Sequence, residues 1–187
     1  MTTLRDEVGD WPFRTQAERL RQWPTMVAVA ERVASMPQFD GLLLLGSFAS
    51  GHADQISDVD LVAVVAAGEF QQAWQRRGEL EPPGALVAWD LFTGEDGDAG
   101  SHKWITAEIV KVECAIVDPG NSAMQLAEPY AVLLGEPTLG TRFAPLEPIP
   151  PDVLEQYAQR LRDLGLVPEV ETRYGELRDA LRRAQQQ

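Results

Sequence analysis

Residues 41–65 read GLLLLGSFASGHADQISDVDLVAVV, two apolar runs on either side of a polar loop. The first run, residues 42–45, is wholly apolar, which is typical of a strand buried on both faces. The second run, residues 58–64, begins with Asp58 and Asp60, and the two-residue period of a strand puts both carboxylates on one face. The stretch therefore predicts two buried strands joined by a loop that ends in a pair of acids.

The loop begins with Gly46 and Ser47, where we expect a helix to start. Glycine lets the backbone approach a ligand closely, Ser47 can cap the next turn, and free N–H groups at a helix N-terminus favour a phosphate. Two adjacent carboxylates repel each other, and Mg²⁺ would supply the counter-charge through oxygen ligands. A solvated acidic pair at a strand entrance is the alternative, and the apolar strand that follows weighs against it.

The segments GSFASG (46–51) and SDVDL (57–61), with ten residues between Ser47 and Asp58, resemble the signature of nucleotidyltransferases of the DNA polymerase beta superfamily, especially its minimal members. One difference is Ser50, which stands where many relatives carry a basic residue. The resemblance implies an α/β nucleotidyltransferase fold, a mixed β-sheet flanked by helices. It also implies a site in which ATP is the donor, two Mg²⁺ ions bind, and the ligands come from two groups of residues: Gly46, Ser47 and Ser57 for the nucleotide, and Asp58 and Asp60 for metal.

A third carboxylate, catalytic and metal-binding, is implied by the resemblance on a neighbouring strand, between hydrophobic residues. Glu113 fits this setting, and Glu108 and Asp90 are the competing candidates. Residues 104–118 read as one long strand, which places Lys111 and Glu113 on the same face. If Glu113 were purely structural, we would expect it to pair with an arginine elsewhere, because Lys111 belongs to the same strand.

Composition narrows the classes of partner. The formal charge of −13 argues against sequence-independent binding of nucleic acid, which relies on Lys and Arg. It favours a cationic partner, and the alternative is that the charge serves only solubility. No run approaches the roughly 20 apolar residues that span a bilayer. The single cysteine, Cys114, lies in an apolar strand pattern and reads as core. We expect a cytoplasmic protein that binds neither membrane nor nucleic acid.

The rest of the chain predicts a catalytic domain at residues 1–143 and, at 144–187, a proline-rich linker and a C-terminal helical hairpin. Apolar periodicity and turn residues predict the remaining elements. The expected helices are 15–22, 24–36, 68–77, 122–128, 152–164 and 172–184, and the further strands are 85–92 and 130–134.

The function that the resemblance implies is transfer of a nucleoside monophosphate, AMP from Mg-ATP, to a hydroxyl of a small acceptor, with release of pyrophosphate. Relatives that modify aminoglycoside or lincosamide antibiotics suggest the kind of acceptor. Glu113, or the metal it binds, would help to deprotonate the acceptor hydroxyl. Two alternatives stay open at this point: an antitoxin that adenylylates a partner HEPN toxin protein, and a catalytically inactive nucleotide-binding relative.

Overall fold

The computed structural model describes residues 11–93, 99–120, 122, 124–146, 155–156, 159, 162–163 and 169–185. The chain divides into two compact units, Met1–Leu146 and Glu147–Gln187. This division falls close to the boundary expected between residues 143 and 144, and the roles assigned to the two units stay predictions. Within the described residues, no helix combines the length and the apolar character that crossing a bilayer requires.

The first unit contains all the described strands. They are β1 (Phe39–Leu44), β2 (Val59–Val65), β3 (Ala85–Thr93), β4 (Ala99–Thr106), β5 (Lys111–Val117), β6 (Gln125–Leu126), β7 (Ala131–Leu134) and β8 (Ala144–Pro145). Its helices are α1 (Arg14–Ala17), α2 (Trp23–Ser35), α3 (Gly46–Ala49) and α4 (Phe70–Gln75), with 3₁₀ turns at Arg77–Leu80 and Leu139–Arg142. The second unit contributes α5 (Glu169–Gln185).

Six strands form one mixed sheet in the order β3-β4-β5-β2-β1-β7, and β6 pairs with β8 separately. The central pair, β2 and β5, is parallel, and the other four pairings of the large sheet are antiparallel. The expected α/β class with a mixed sheet and helices is therefore confirmed, and so are the buried strands at residues 42–45 and 58–64, with bounds shifted by one to three residues.

The sheet has two unlike faces. On one face, alternate strand residues pack with α2 into the larger core, which includes Met26, Val29, Leu42, Leu44, Leu61, Ala63, Val112 and Cys114. On the other face, a smaller core covers only part of the sheet and is formed by Leu43, Val62, Val64, Val117, Leu126, Leu139 and Phe143. The acidic residues at the start of β2 share this second face, beyond the end of the smaller core.

The expectation of one long strand at residues 104–118 is wrong. The chain turns between Thr106 and Val110, where Thr106 N donates to Val110 O at 2.9 Å, and forms the antiparallel β4–β5 hairpin. Ile109 sits in this turn at φ 60°, a conformation that β-branched residues rarely adopt. No glycine or proline marks the turn, so the sequence pattern runs through it without a break.

Two further expectations fail in the described residues. The helix expected at 122–128 is instead the short strand β6, which pairs with β8, so the start of the linker expected from residue 144 is part of the folded unit. The helix expected at 15–22 ends at Ala17. In the second unit, α5 agrees with the helix expected at 172–184, whereas most of the helix expected at 152–164 lies outside the described residues.

Candidate active site

Three charged residues form a row across adjacent strands of the sheet. Asp60 on β2 is the register partner of Glu113 on β5, and Glu113 is the register partner of Lys103 on β4. Register partners point to the same face of a sheet, with side chains close enough to interact. Asp58 and Lys111 lie two residues before Asp60 and Glu113 and occupy the neighbouring row. The structure therefore brings the three expected acids together, with two lysines among them.

Ion pairs occupy both oxygens of Glu113. Lys103 Nζ lies 2.8 Å from Glu113 Oε2, and Lys111 Nζ contacts Glu113 Oε1 and lies 3.5 Å from Asp58 Oδ2. Both lysine side chains are only 5% exposed. The expected arginine partner is thus wrong, and so is the exclusion of Lys111, because residues two apart on a strand share a face and a lysine side chain spans that separation.

The two competing acids lie elsewhere. Asp90 pairs with Arg77 through two contacts of 2.8 and 2.9 Å, and its Oδ1 is 2.9 Å from His102 Nδ1. Glu108 lies in the β4–β5 turn, where it is exposed and its carbonyl accepts a hydrogen bond from Arg21. Neither joins Asp58 and Asp60, so Glu113 is the acid that the fold places beside them.

The pKa values of the two neighbouring acids in the row, Asp60 and Glu113, are shifted in opposite directions. Burial raises the pKa of Asp60 to about 6, with further contributions from the charges of Glu113 and Asp58 that the two lysines only partly offset. Burial acts on Glu113 in the same sense, but Lys111 and Lys103 outweigh it and hold the pKa of Glu113 below its ordinary value. The negative charge that still lacks compensation is therefore concentrated at Asp60, where a bound cation would be stabilised.

Gly46 lies directly against the carboxylate of Asp60. The backbone there has φ +64°, and a Cβ added to Gly46 would stand 2.3 Å from Asp60 Oδ2. Leu45 N also donates to Asp60 O at 2.9 Å, which fixes the start of α3 beside β2. The expected helix start is confirmed, but Ser47 does not cap it, because Leu45 is the N-cap residue and no side-chain cap forms.

Replacing Gly46 with alanine is expected to destabilise the fold more than the same change at Gly68. Both glycines have a positive φ, but nothing lies within 4 Å of a Cβ at Gly68. The backbone strain of about 1–2 kcal/mol is common to both variants, and the clash with Asp60 adds to it only at Gly46. Urea unfolding should therefore show at least about 1 kcal/mol between the two variants. Equal losses would mean that Asp60 moves aside freely.

Ser57 has a structural position in the loop before β2. Its side chain donates to Asp54 Oδ1 at 2.8 Å and accepts from Asp54 N at 3.0 Å, and its carbonyl accepts from Gln22 Nε2 at 2.9 Å. Ser57 is 4% exposed. Its contact with a nucleotide stays a prediction, and this network weighs against it, because the hydroxyl already serves as both donor and acceptor.

The donor set fits one divalent cation better than two. Mg²⁺ binds proteins through one or two carboxylates, with phosphates and water completing its shell. Asp58 and Asp60 supply such a pair: Asp60 Oδ2 occupies the space that a Cβ of residue 46 would take, and Asp58 Oδ2 lies 3.5 Å from Lys111 Nζ. Glu113 does not fit as a further ligand while lysines hold both its oxygens. Accordingly, no cluster of three or more Asp, Glu, His or Cys side chains arranged to hold a metal is found within the described ranges.

Lys103 and Lys111 are the residues that the sequence reading missed as part of the site. They are the only two lysines in a chain with 16 Lys and Arg residues, and they lie eight residues apart, Lys103 between His102 and Trp104 and Lys111 between two valines. The other 14 of these 16 residues are arginine, so the use of lysine at these two positions was the available signal. The unrecognised β4–β5 turn concealed it, because Lys103 faces Glu113 only across that hairpin.

A cavity of about 320 Å³ lies beside α3. Phe13 forms part of its wall and packs on the backbone of Gly51, where an added Cβ would stand 2.5 Å from the ring. Among the described residues, its walls are Trp11, Pro12, Phe13, Ala49, Pro129, Tyr130, Ala131, Val132, Gly135 and Pro137, none of which carries a charge. Its size and aromatic lining are typical of a small-molecule site.

No protein-family model matches the chain, and a search of curated proteins finds no match either.

Proposed function

We propose that the chain is a nucleotidyltransferase that transfers a nucleoside monophosphate, AMP from Mg-ATP, to a hydroxyl group of a small acceptor and releases pyrophosphate. One observation carries the proposal. Gly46 and the pair Asp58 and Asp60, expected from the GS and DxD segments, meet at one point of the sheet, and the register adds Glu113 from the neighbouring strand. We assign the fold to the nucleotidyltransferase class on the same grounds.

Each residue has a role that its position supports. Asp58 and Asp60 would hold Mg²⁺, which when bound supplies positive charge to the phosphates. The backbone at Gly46 and Ser47 is close enough to Asp60 to hold the triphosphate against the same end of β2. The acceptor hydroxyl would attack the α-phosphorus in line with the departing pyrophosphate, so the bond between the α-phosphorus and the bridging oxygen breaks as the new bond forms and the hydroxyl proton passes to water.

Glu113 is a weak candidate for the base that takes the hydroxyl proton. A general base works best with a pKa close to the working pH, whereas Lys111 and Lys103 hold the pKa of Glu113 below its ordinary value. We therefore assign Glu113 mainly to holding the two ammonium groups in place beside Asp60.

The acceptor is best sought among compounds with a substantial apolar part. The described residues that line the cavity beside α3 are all uncharged, so they offer nothing to pair with the ammonium groups of an aminoglycoside-like compound. A lincosamide-like acceptor, with hydroxyls on one part and an apolar remainder, suits it better. A cationic acceptor would have to draw on the acidic surface instead.

A second candidate is a nucleotide-binding protein without catalytic activity. The observation that favours it is the engagement of both Glu113 oxygens by lysines, which removes one carboxylate from the expected set. Such a protein would still bind Mg-ATP through Asp58, Asp60 and the turn at Gly46.

One experiment distinguishes the nucleotidyltransferase from the inactive nucleotide-binding protein. The full chain is incubated with α-labelled ATP, Mg²⁺ and panels of apolar and cationic hydroxylated compounds, and products and pyrophosphate are followed together. We expect a labelled acceptor and an equal amount of pyrophosphate, with the same reaction lost in Asp58→Asn. Tight binding of Mg-ATP without any product would favour the inactive relative. A chain that binds neither Mg²⁺ nor ATP would contradict both.

A further inference from the structure

The lysines next to the proposed site are unusual in number and position. Lys103 and Lys111 are the only lysines of the chain, and each side chain is 5% exposed. A buried ammonium is costly unless it is paired, and here both contact Glu113, while Lys111 Nζ also lies 3.5 Å from Asp58 Oδ2. Lysine is a compact point charge with three donors, which suits a crowded carboxylate cluster better than the planar fork of arginine. Their placement therefore indicates that these two cations belong to the site.

Strand pairing limits where the ammonium groups can go. Lys103 stands directly opposite Glu113 across β4 and β5, and Lys111 precedes it by two residues on the same face. A metal ion that took the oxygens of Glu113 would approach two buried positive charges and remove their counter-charge at the same time. Asp60 lies on the other side of Glu113 in the row, where negative charge predominates. The Glu113 side is therefore a poor position for a second cation.

We propose that Lys103 and Lys111 stand in place of a second divalent cation, so that the site binds a single divalent ion, at Asp58 and Asp60. The inference rests on the proposed function and departs from the two ions that the resemblance implies. The lysines are positioning residues that act through Glu113. They supply fixed positive charge next to Asp60, on the sheet face where the phosphates of a nucleotide would gather.

The number of bound ions tests the proposal directly. The full chain is titrated with Mn²⁺ alone, and the free ion is followed by electron paramagnetic resonance. We expect one ion per wild-type chain and none on Asp60→Asn at the same concentrations. Lys103→Met should bind two, because an oxygen of Glu113 becomes available, while Lys103→Arg keeps the charge and should bind one. Two ions on the wild-type chain, none on it, or an unchanged count in Lys103→Met would overturn the proposal.

A second measurement does not require that Lys103→Met folds. Labelling with ¹³Cε-lysine gives two signals, assigned through Lys103→Arg and Lys111→Arg. Saturating Mg²⁺ should leave both signals away from the position of free lysine, because the pairs with Glu113 persist. Mn²⁺ in place of Mg²⁺ should broaden both, because the ion binds in the adjoining part of the row. Movement of both signals to the free-lysine position, or no broadening, would overturn the proposal even if Lys103→Met does not fold.

The inference and the proposed function fail in different ways. Two bound Mn²⁺ ions together with transfer of the nucleotide to an acceptor would retain the transferase and discard the single-ion site. One bound ion, with no pyrophosphate released from ATP under any condition, would retain the single-ion site and discard the transferase.

Discussion

Asp60→Asn is expected to end nucleotide transfer and, without metal, to make the protein more stable at pH 8. The loss of a metal-binding carboxylate removes several kcal/mol of transition-state stabilisation, so turnover should fall at least about 10³-fold. The same change removes a buried charge that faces Glu113 and Asp58. One substitution should therefore act on activity and on the free energy of unfolding in opposite directions.

The sign of the stability effect follows from the raised pKa of Asp60, which is about 6 in the folded protein. Because the folded state holds this proton more tightly than the unfolded chain, the contribution of Asp60 to stability is complete below the unfolded pKa of about 4 and is lost as the pH rises through about 6. At pH 8 the ionised side chain costs up to about 3 kcal/mol. Asparagine avoids that cost.

Urea unfolding in EDTA at pH 4 and pH 8 measures the effect. The gain in Asp60→Asn should be about 1–3 kcal/mol at pH 8 and close to zero at pH 4. Asp179→Asn, at an exposed aspartate of α5, is the control and should change little at either pH. Retained transfer in Asp60→Asn would remove Asp60 from the site, and a loss of stability at pH 8 would show that its carboxylate has a partner that outweighs burial.

Glu113→Gln is expected to cost about 2–4 kcal/mol of stability at pH 7, because it leaves Lys103 and Lys111 buried without their shared counter-charge. The pKa of Glu113 is held below its ordinary value, so the stabilisation is present above the unfolded pKa of about 4.3 and is lost as the pH falls through the folded pKa. The variant and the wild type should converge in acid.

A double-mutant cycle separates the ion pair from the side chain itself. The cost of Glu113→Gln should shrink by at least about 1 kcal/mol in a Lys103→Met background, because fewer ammonium groups are then left without a counter-charge. In kinetics, Glu113→Gln should lower kcat more than nucleotide affinity if the row acts mainly in the transition state. An unchanged stability in Glu113→Gln would mean that the lysines find other partners, which would also contradict their role beside the proposed site.

The sequence alone was sufficient for the central strands and for the position of the acidic pair. Apolar runs on both sides of a polar loop predict β1 and β2, and the period of two places Asp58 and Asp60 on one face. The same period placed Glu113 on the same face of its strand as Lys111. These inferences succeed because they depend only on local alternation between core and site residues.

Partners across the sheet could not be predicted, because strand order and register are not local properties. The turn at Ile109 has neither glycine nor proline, so residues 104–118 read as one strand, and Lys103, just before it, had no assigned neighbour. The strand β6 was misread as a helix because its pairing partner, β8, lies 19 residues further along the chain. Each miss concerns a contact made in the folded sheet rather than a pattern in the chain.

Where β2 and β5 carry the charged row, residues that pack into the larger core alternate with residues that do not. Val59, Leu61 and Val112 are at most 2% exposed and belong to the larger core, whereas their immediate neighbours Asp60 and Glu113 face the charged row. Substitutions at Asp60 and Glu113 can therefore leave the larger core untouched, whereas Val62 and Val64, further along the same face of β2, pack into the smaller core. At this end of the sheet, one face can therefore change its charged residues while the opposite face keeps its apolar packing.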